Sequence, residues 1–210
     1  MRALRRTAST GRDTDRLEAF SDGVIAIAIT LLVLEVRVPT EAAVEDAGGL
    51  GSALLDLWPN YLGYLLSFVI IGIMWANHHE IFRHVVRTDH YLVLINLLFL
   101  FCIGFIPFPT ALMAENLGHD GERTAVIVYA GWILLTALSY YLLWRYPSGG
   151  GRLLAPDADR GAVETITQRF RLGPPSYALA FALAFLYPPA SLALLFLLAV
   201  LYVLPNAAAV

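Results

Sequence analysis

"LEAFSDGVIAIAITLLVLEV", Leu17 to Val36, carries charge only at Glu18, Asp22 and Glu35. About 20 apolar residues in helical form span the roughly 30 Å hydrocarbon core of a bilayer. The stretch therefore reads as a membrane span with a carboxylate near one end and a hydroxyl, Thr30, near its middle. Four more apolar runs follow, over residues 60–76, 91–114, 125–144 and 176–204. With 58% hydrophobic residues and a mean hydropathy of +0.65, the composition excludes an ordinary soluble domain. The last run is too long for one upright span and holds Pro188 and Pro189, where the first proline removes a helix donor and crowds the preceding turn. Two short helices joined by a tight turn are expected there. The fold class is all-α, an integral membrane bundle of six transmembrane helices; five spans with one long kinked helix at the end is the competing count.

Charge placement sets the expected topology. The chain has no lysine, and twelve of its fourteen arginines fall in the N-terminal tail, the second connection (Arg83, Arg87) and the fourth (Arg145 to Arg171). The first and third connections hold only Arg37 and Arg123 among many carboxylates. By the positive-inside rule the tail is cytoplasmic, and six spans return the C-terminus to the same side of the membrane. Residues 1–15 are expected to form a flexible tail, 16–205 the six-helix membrane domain and 206–210 a short terminal tail, with Pro147 to Gly161 as a flexible loop. Cys102 is the single cysteine, so no intrachain disulfide forms.

On a helix, positions three and four apart share a face. Gly23, Ile27, Thr30 and Leu34 form such a stripe, continued by Phe20 and Arg16. Either Ile27 and Leu34 face lipid while Thr30 bonds back to a carbonyl one turn earlier, or several copies of the helix surround an axis. In the second arrangement Ile27 and Leu34 are constrictions that gate by dewetting, and Thr30 supplies a ring of oxygens between them. Asp22 needs a partner or water at the membrane edge. The second span ends in "MWANHHE", Met74 to Glu80, on the same side, and Trp75, Asn77, His78 and His79 all carry groups able to meet it. An interfacial tryptophan with solvated histidines is the plainer alternative.

Arg16 through Asp22 read R-x-x-x-F-S-D, "WANHH" ends the second span, and "NLLFLFCIGFIPFPT", Asn96 to Thr110, fills the third. Together these resemble the transmembrane protein 175 family of potassium channels; the likeness is close over the first half of the chain and generic in the later spans. The resemblance implies a homotetramer of six-helix subunits with the pore lined by the first helix, and passive potassium permeation without a T-x-G-Y-G filter, which this chain lacks. It places the pore stripe on Ile27, Thr30 and Leu34, with Ile27 and Leu34 as the gate and Thr30 as the selecting layer. It further implies a packing network of Arg16, Phe20, Ser21, Asp22, Trp75, Asn77 and one or both of His78 and His79. Neutral hydroxyls in place of a carbonyl filter imply weak preference for potassium over sodium.

Other chemistry is less well supported. His78, His79, Glu80 and His84 lack the H-E-x-x-H order, so no metal is assigned. No nucleophile and base share a face and no phosphate-cradling loop appears, so neither enzymatic activity, a cofactor, a nucleic acid nor a soluble substrate is expected; membrane lipid and further copies of the chain are the expected partners and K+ the permeant ion. A secondary transporter of a small cation or solute is the alternative, although matching halves with broken helices are absent from the sequence.

Overall fold

The computed structural model describes residues 2–151 and 153–203, with side chains from Thr14 onward. The expected terminal tail 206–210 lies outside the described residues. Helices α1 (Arg2–Leu31), α2 (Glu41–Asp46), α3 (Leu50–Asp56), α4 (Trp58–His84), α5 (His90–Phe105), α6 (Pro107–Asn116), α7 (Glu122–Ser148), α8 (Arg160–Leu186) and α9 (Pro188–Val203) follow in order. A single 3-10 turn, Leu32–Glu35, tightens the end of α1. Among the described residues the only extended pairing is an isolated bridge between Val85 and Leu154.

Among the described residues four segments are long and apolar enough to cross a bilayer: Thr14–Glu35, Trp58–His84, His90–Asn116 and Glu122–Ser148. The backbone is helical from Arg2, so the expected tail and the first span share one helix. Span ends are set locally. Pro59 occupies the first turn of α4, where its missing N–H costs nothing. The Asp89 carboxylate caps α5 by accepting from the Leu92 N–H at 2.9 Å.

The third span bends at Ile106. Pro107 offers no N–H, and the Ile106 N–H turns to Ile103 O at 3.1 Å. Cys102 O, the partner Ile106 would take in a regular helix, instead accepts from the indole Nε1 of Trp132 on α7 at 2.8 Å. A neighbouring helix thus satisfies the carbonyl that the bend frees, as burial in an apolar medium requires.

The C-terminal run breaks where expected, at extended Tyr187 before Pro188, and α8 and α9 pack together with Ser191 Oγ donating to Ala180 O at 2.8 Å. The first of the two helices is not short. It starts at Arg160 under an Asp159 cap and continues through Pro174 and Pro175. The expected loop Pro147 to Gly161 shrinks correspondingly: α7 runs through Pro147 to Ser148. What remains is anchored, because Leu153 and Leu154 are buried and Leu153 O accepts from Val86 N at 2.9 Å.

α7 is the hub, touching α5, α6, α8 and α9, whereas among the described residues α1 packs mainly on α4 and α5 apart from its own 3-10 turn. Gly63 and Gly131 permit close crossings: a Cβ at Gly63 would lie 3.3 Å from Met113 and Thr110 on α6, and one at Gly131 would lie 2.9 Å from the Phe181 ring on α8. In the core, Ser67 Oγ meets Thr110 Oγ1 at 2.7 Å and Tyr129 Oη at 2.9 Å, tying α4, α6 and α7 through one hydroxyl. Ser67→Ala is expected to cost about 1–3 kcal/mol, since it strands the buried Tyr129 hydroxyl, while Thr110 keeps its bond to Ile106 O. A thermal midpoint equal to wild type in detergent would contradict that role.

Candidate functional site

The two faces of α1 differ. Ser21, Ile25, Ala28 and Leu32 are buried at 0–2% exposure and follow helical spacing toward α4 and α5. At 100° per residue, Phe20, Gly23, Ile27, Thr30 and Leu34 fall on the opposite side, and all five are exposed in the isolated subunit. Ile27 is 62% exposed and Leu34 68%. Thr30 Oγ1 donates to Ile27 O at 2.8 Å. The back-bond and the outward-facing oxygen are therefore compatible: once its proton is engaged by the helix, the hydroxyl presents only lone pairs outward.

The inner end of this helix is fixed by three contacts. Ser21 Oγ donates to Leu17 O at 2.8 Å, and so accepts from Asn96 Nδ2 on α5 at 2.9 Å. That orients the Asn96 amide, whose Oδ1 then accepts from His78 Nε2 on α4 at 2.9 Å. The His78 ring accordingly carries its proton on Nε2. Its Nδ1 has no hydrogen-bond partner among the described residues. The imidazole stacks on Phe82 and Phe99, with centroids 4.6 and 5.6 Å away. Ser21, His78 and Asn96 are all fully buried. Nearer the surface, Trp75 Nε1 donates to Asp22 Oδ1 at 2.9 Å, and His79 Nδ1 lies 2.7 Å from Glu18 Oε1. The second pair is largely exposed and contributes at most about 1 kcal/mol.

Of the expected network, Ser21, Asp22, Trp75, His78 and His79 stand along the α1–α4 contact, and three do not join them. Asn77 faces the far side of α4, where it lines a cavity with Tyr140 and Arg169. It follows Trp75 by two positions, or about 200° around the helix, whereas His78 and His79 follow by three and four. Arg16 is exposed and, among the described residues, in no ion pair; six positions separate it from Asp22, which places the two on different faces. Phe20 is 53% exposed and lies on the outward stripe. Asn96, the residue that joins three helices, and Glu18 were not foreseen. Asn96 had one signal, an amide alone in an apolar run; Glu18 had another, its position four residues before Asp22 on the same face.

Among the described residues no group of three or more His, Cys, Asp or Glu could hold a metal ion. Glu80 lies 3.2 Å from both Arg83 and His84.

The model of the family described as endosomal/lysosomal potassium channel TMEM175 matches residues 16–107, the stretch that holds the outward stripe, the α1–α4 contact and Asn96. A potassium channel of Chamaesiphon minutus is 53% identical over 174 residues, covering 83% of this chain and 85% of its own length. The chain belongs to the TMEM175 family. A second relative, a potassium channel of Streptomyces collinus, is 43% identical over 178 residues, 84% of this chain and 85% of its own. The crystal structure of a lysosomal potassium-selective channel TMEM175 homolog from Chamaesiphon minutus superposes with a TM-score of 0.84 at 47% identity, covering 91% of this chain and 97% of that one. The later helices, generic in sequence, are thus included in the TMEM175 likeness.

Proposed function

We propose that the chain is the subunit of a passive potassium-permeable channel of a bacterial plasma membrane, a homotetramer in which four copies of α1 turn their outward stripes to a common axis. The observation that carries this reading is the stripe itself: in a TMEM175 family member, α1 sits at the edge of the subunit with Ile27, Thr30 and Leu34 uncovered. α8, at 27 residues, is about 40 Å long and α9, at 16, about 24 Å. They supply the fifth and sixth spans and leave both termini in the cytoplasm.

Rings of Ile27 and Leu34 exclude water when narrow, and a dry constriction stops ions without any moving plug. Between them four Thr30 hydroxyls, their protons held by Ile27 carbonyls, replace part of the hydration shell of K+. Sodium is held more tightly by water, and uncharged hydroxyls compensate its dehydration poorly. The preference for potassium is accordingly weak. The contact of Ser21, Asn96 and His78, with Trp75 on Asp22, sets the rotation of α1 and so the aim of the stripe.

Thr30→Ala is expected to remove about 0.5–1 kcal/mol of discrimination, a roughly two- to fivefold fall in the potassium-to-sodium permeability ratio, with folding unchanged. Liposomes holding purified protein and a potassium gradient, assayed by a voltage-sensing dye, test both points. Potassium flux that requires no coupled ion supports a channel. Flux tied to a second ion would replace it with a transporter, and an unmoved permeability ratio would remove Thr30 from selection.

A further inference from the structure

On the side of α4 away from α1, a cavity of about 50 Å³ among α4, α7, α8 and α9 opens into a groove of about 600 Å³; the two share Ile73, Asn77, Arg169 and Tyr202. The lining of the deep part includes Tyr140, which is 8% exposed and whose hydroxyl has no hydrogen-bond partner among the described residues. Such a buried hydroxyl is costly unless something accepts its proton. Arg169 faces the same space and, among the described residues, is in no ion pair. The neutral polar groups of the lining, Asn77, Tyr177 and Tyr202, leave the Tyr140 proton without an acceptor and Arg169 without a counter-charge, and these two donors together point to an anion. Glu80 also borders the groove, but the Arg83 guanidinium stands 3.2 Å from its carboxylate and offsets its charge.

The groove changes character along α4. Near the His84 end it is lined by Glu80 and Asn77; toward the middle of the helix it is lined by Ala76, Gly72, Val69 and Phe68. A 27-residue helix is about 40 Å long, so about 5 Å projects beyond each side of a 30 Å core. Glu80 lies about 6 Å from that end, at the boundary between headgroups and acyl chains, and Phe68 lies well within the acyl region. Polar at the interface and apolar inward is the profile of a phospholipid, and a basic crevice between helices on the cytoplasmic side is where anionic headgroups bind.

We propose that this crevice holds a phospholipid of the cytoplasmic leaflet, its phosphate bound by Arg169 and the Tyr140 hydroxyl and one acyl chain lying on Phe68, Val69 and Gly72. The siting rests on α4 and α8 spanning the bilayer as proposed above, but the test reads binding and needs no conduction. The purified full-length protein is delipidated and titrated with phosphatidylglycerol, diacylglycerol or inorganic phosphate, and the bound species are counted by native mass spectrometry. One phosphatidylglycerol per subunit is expected, with neither diacylglycerol nor inorganic phosphate retained. Arg169→Ala weakens retention by about tenfold or more and Tyr140→Phe by about three- to tenfold, as for bonds to a charged group. Arg87→Ala, an exposed arginine on the same side, changes it less than about twofold. Tyr140→Phe deletes only an unpartnered hydroxyl, so its lipid-free thermal midpoint stays at or above wild type and reports that the fold is intact. Equal losses in Arg169→Ala and Arg87→Ala, equal retention of diacylglycerol, displacement of the lipid by inorganic phosphate, or absence of a bound lipid would each overturn the assignment.

Discussion

Asn96→Leu is expected to lower the thermal midpoint in detergent by roughly 5–10 °C and to reduce the assembled fraction. Asn96 is the one side chain that bonds both α1 and α4 from α5, at 2.9 Å to Ser21 and to His78. Its loss leaves the His78 Nε2–H without an acceptor in a fully buried ring whose Nδ1 already has none among the described residues. A stranded buried donor costs about 1–3 kcal/mol, and each lost interhelical bond in a membrane protein adds about 0.6. For a chain of this size, 1 kcal/mol moves the midpoint by roughly 2–4 °C. The argument has an internal control. Replacing both partners with apolar groups of similar shape removes the stranded donor, so Asn96→Leu with His78→Phe should regain much of what Asn96→Leu alone loses. A double variant that loses the sum of the two single losses would show that the three-helix contact acts through packing rather than through the amide.

Ile27→Asn should raise basal potassium flux by about tenfold without lowering stability. Ile27 is 62% exposed, so the substitution disturbs no packing within the subunit. In a ring of four, the amide admits water where the sec-butyl groups exclude it. A barrier lowered by only about 0.35 kcal/mol per subunit, acting in all four, is already about tenfold in rate. Dye-reported flux at matched protein incorporation measures this. Unchanged flux with normal assembly would mean that Ile27 is not a constriction, and the gate would then fall to Leu34 or elsewhere.

The spans with strong hydropathy and the break before Pro188 were legible in the sequence because both depend on local properties: apolar length and a missing donor. α8 was read too short. Its first half, Arg160 to Arg171, carries three arginines among polar residues and reads as a connection, and the apolar run begins only at Ser176. The Asp159 cap was the signal that a helix begins there. The outward stripe of α1 was legible for the same reason as the buried one, because both follow the 3.6-residue period. The contacts at its inner end were only partly so. Trp75, His78 and His79 share a face of α4, and Asn77 was grouped with them by closeness in the chain when its angle sends it to the opposite side. Asn96 was out of reach for a different reason: its partners lie 75 and 18 residues away, and no periodicity within one helix encodes which neighbour an isolated amide will meet.

Whether the outward face of α1 borders water or acyl chains can be measured with cysteine chemistry, since the native Cys102 is fully buried and stays silent toward a membrane-impermeant, cationic thiol reagent. In liposomes, Thr30→Cys should react with that reagent and lose potassium flux as it does so, while Leu138→Cys, at an exposed position on α7, should remain unlabelled and conducting. A thiol at position 30 that is as inert as one at position 138, in protein that still conducts potassium, would place α1 against lipid and contradict the pore.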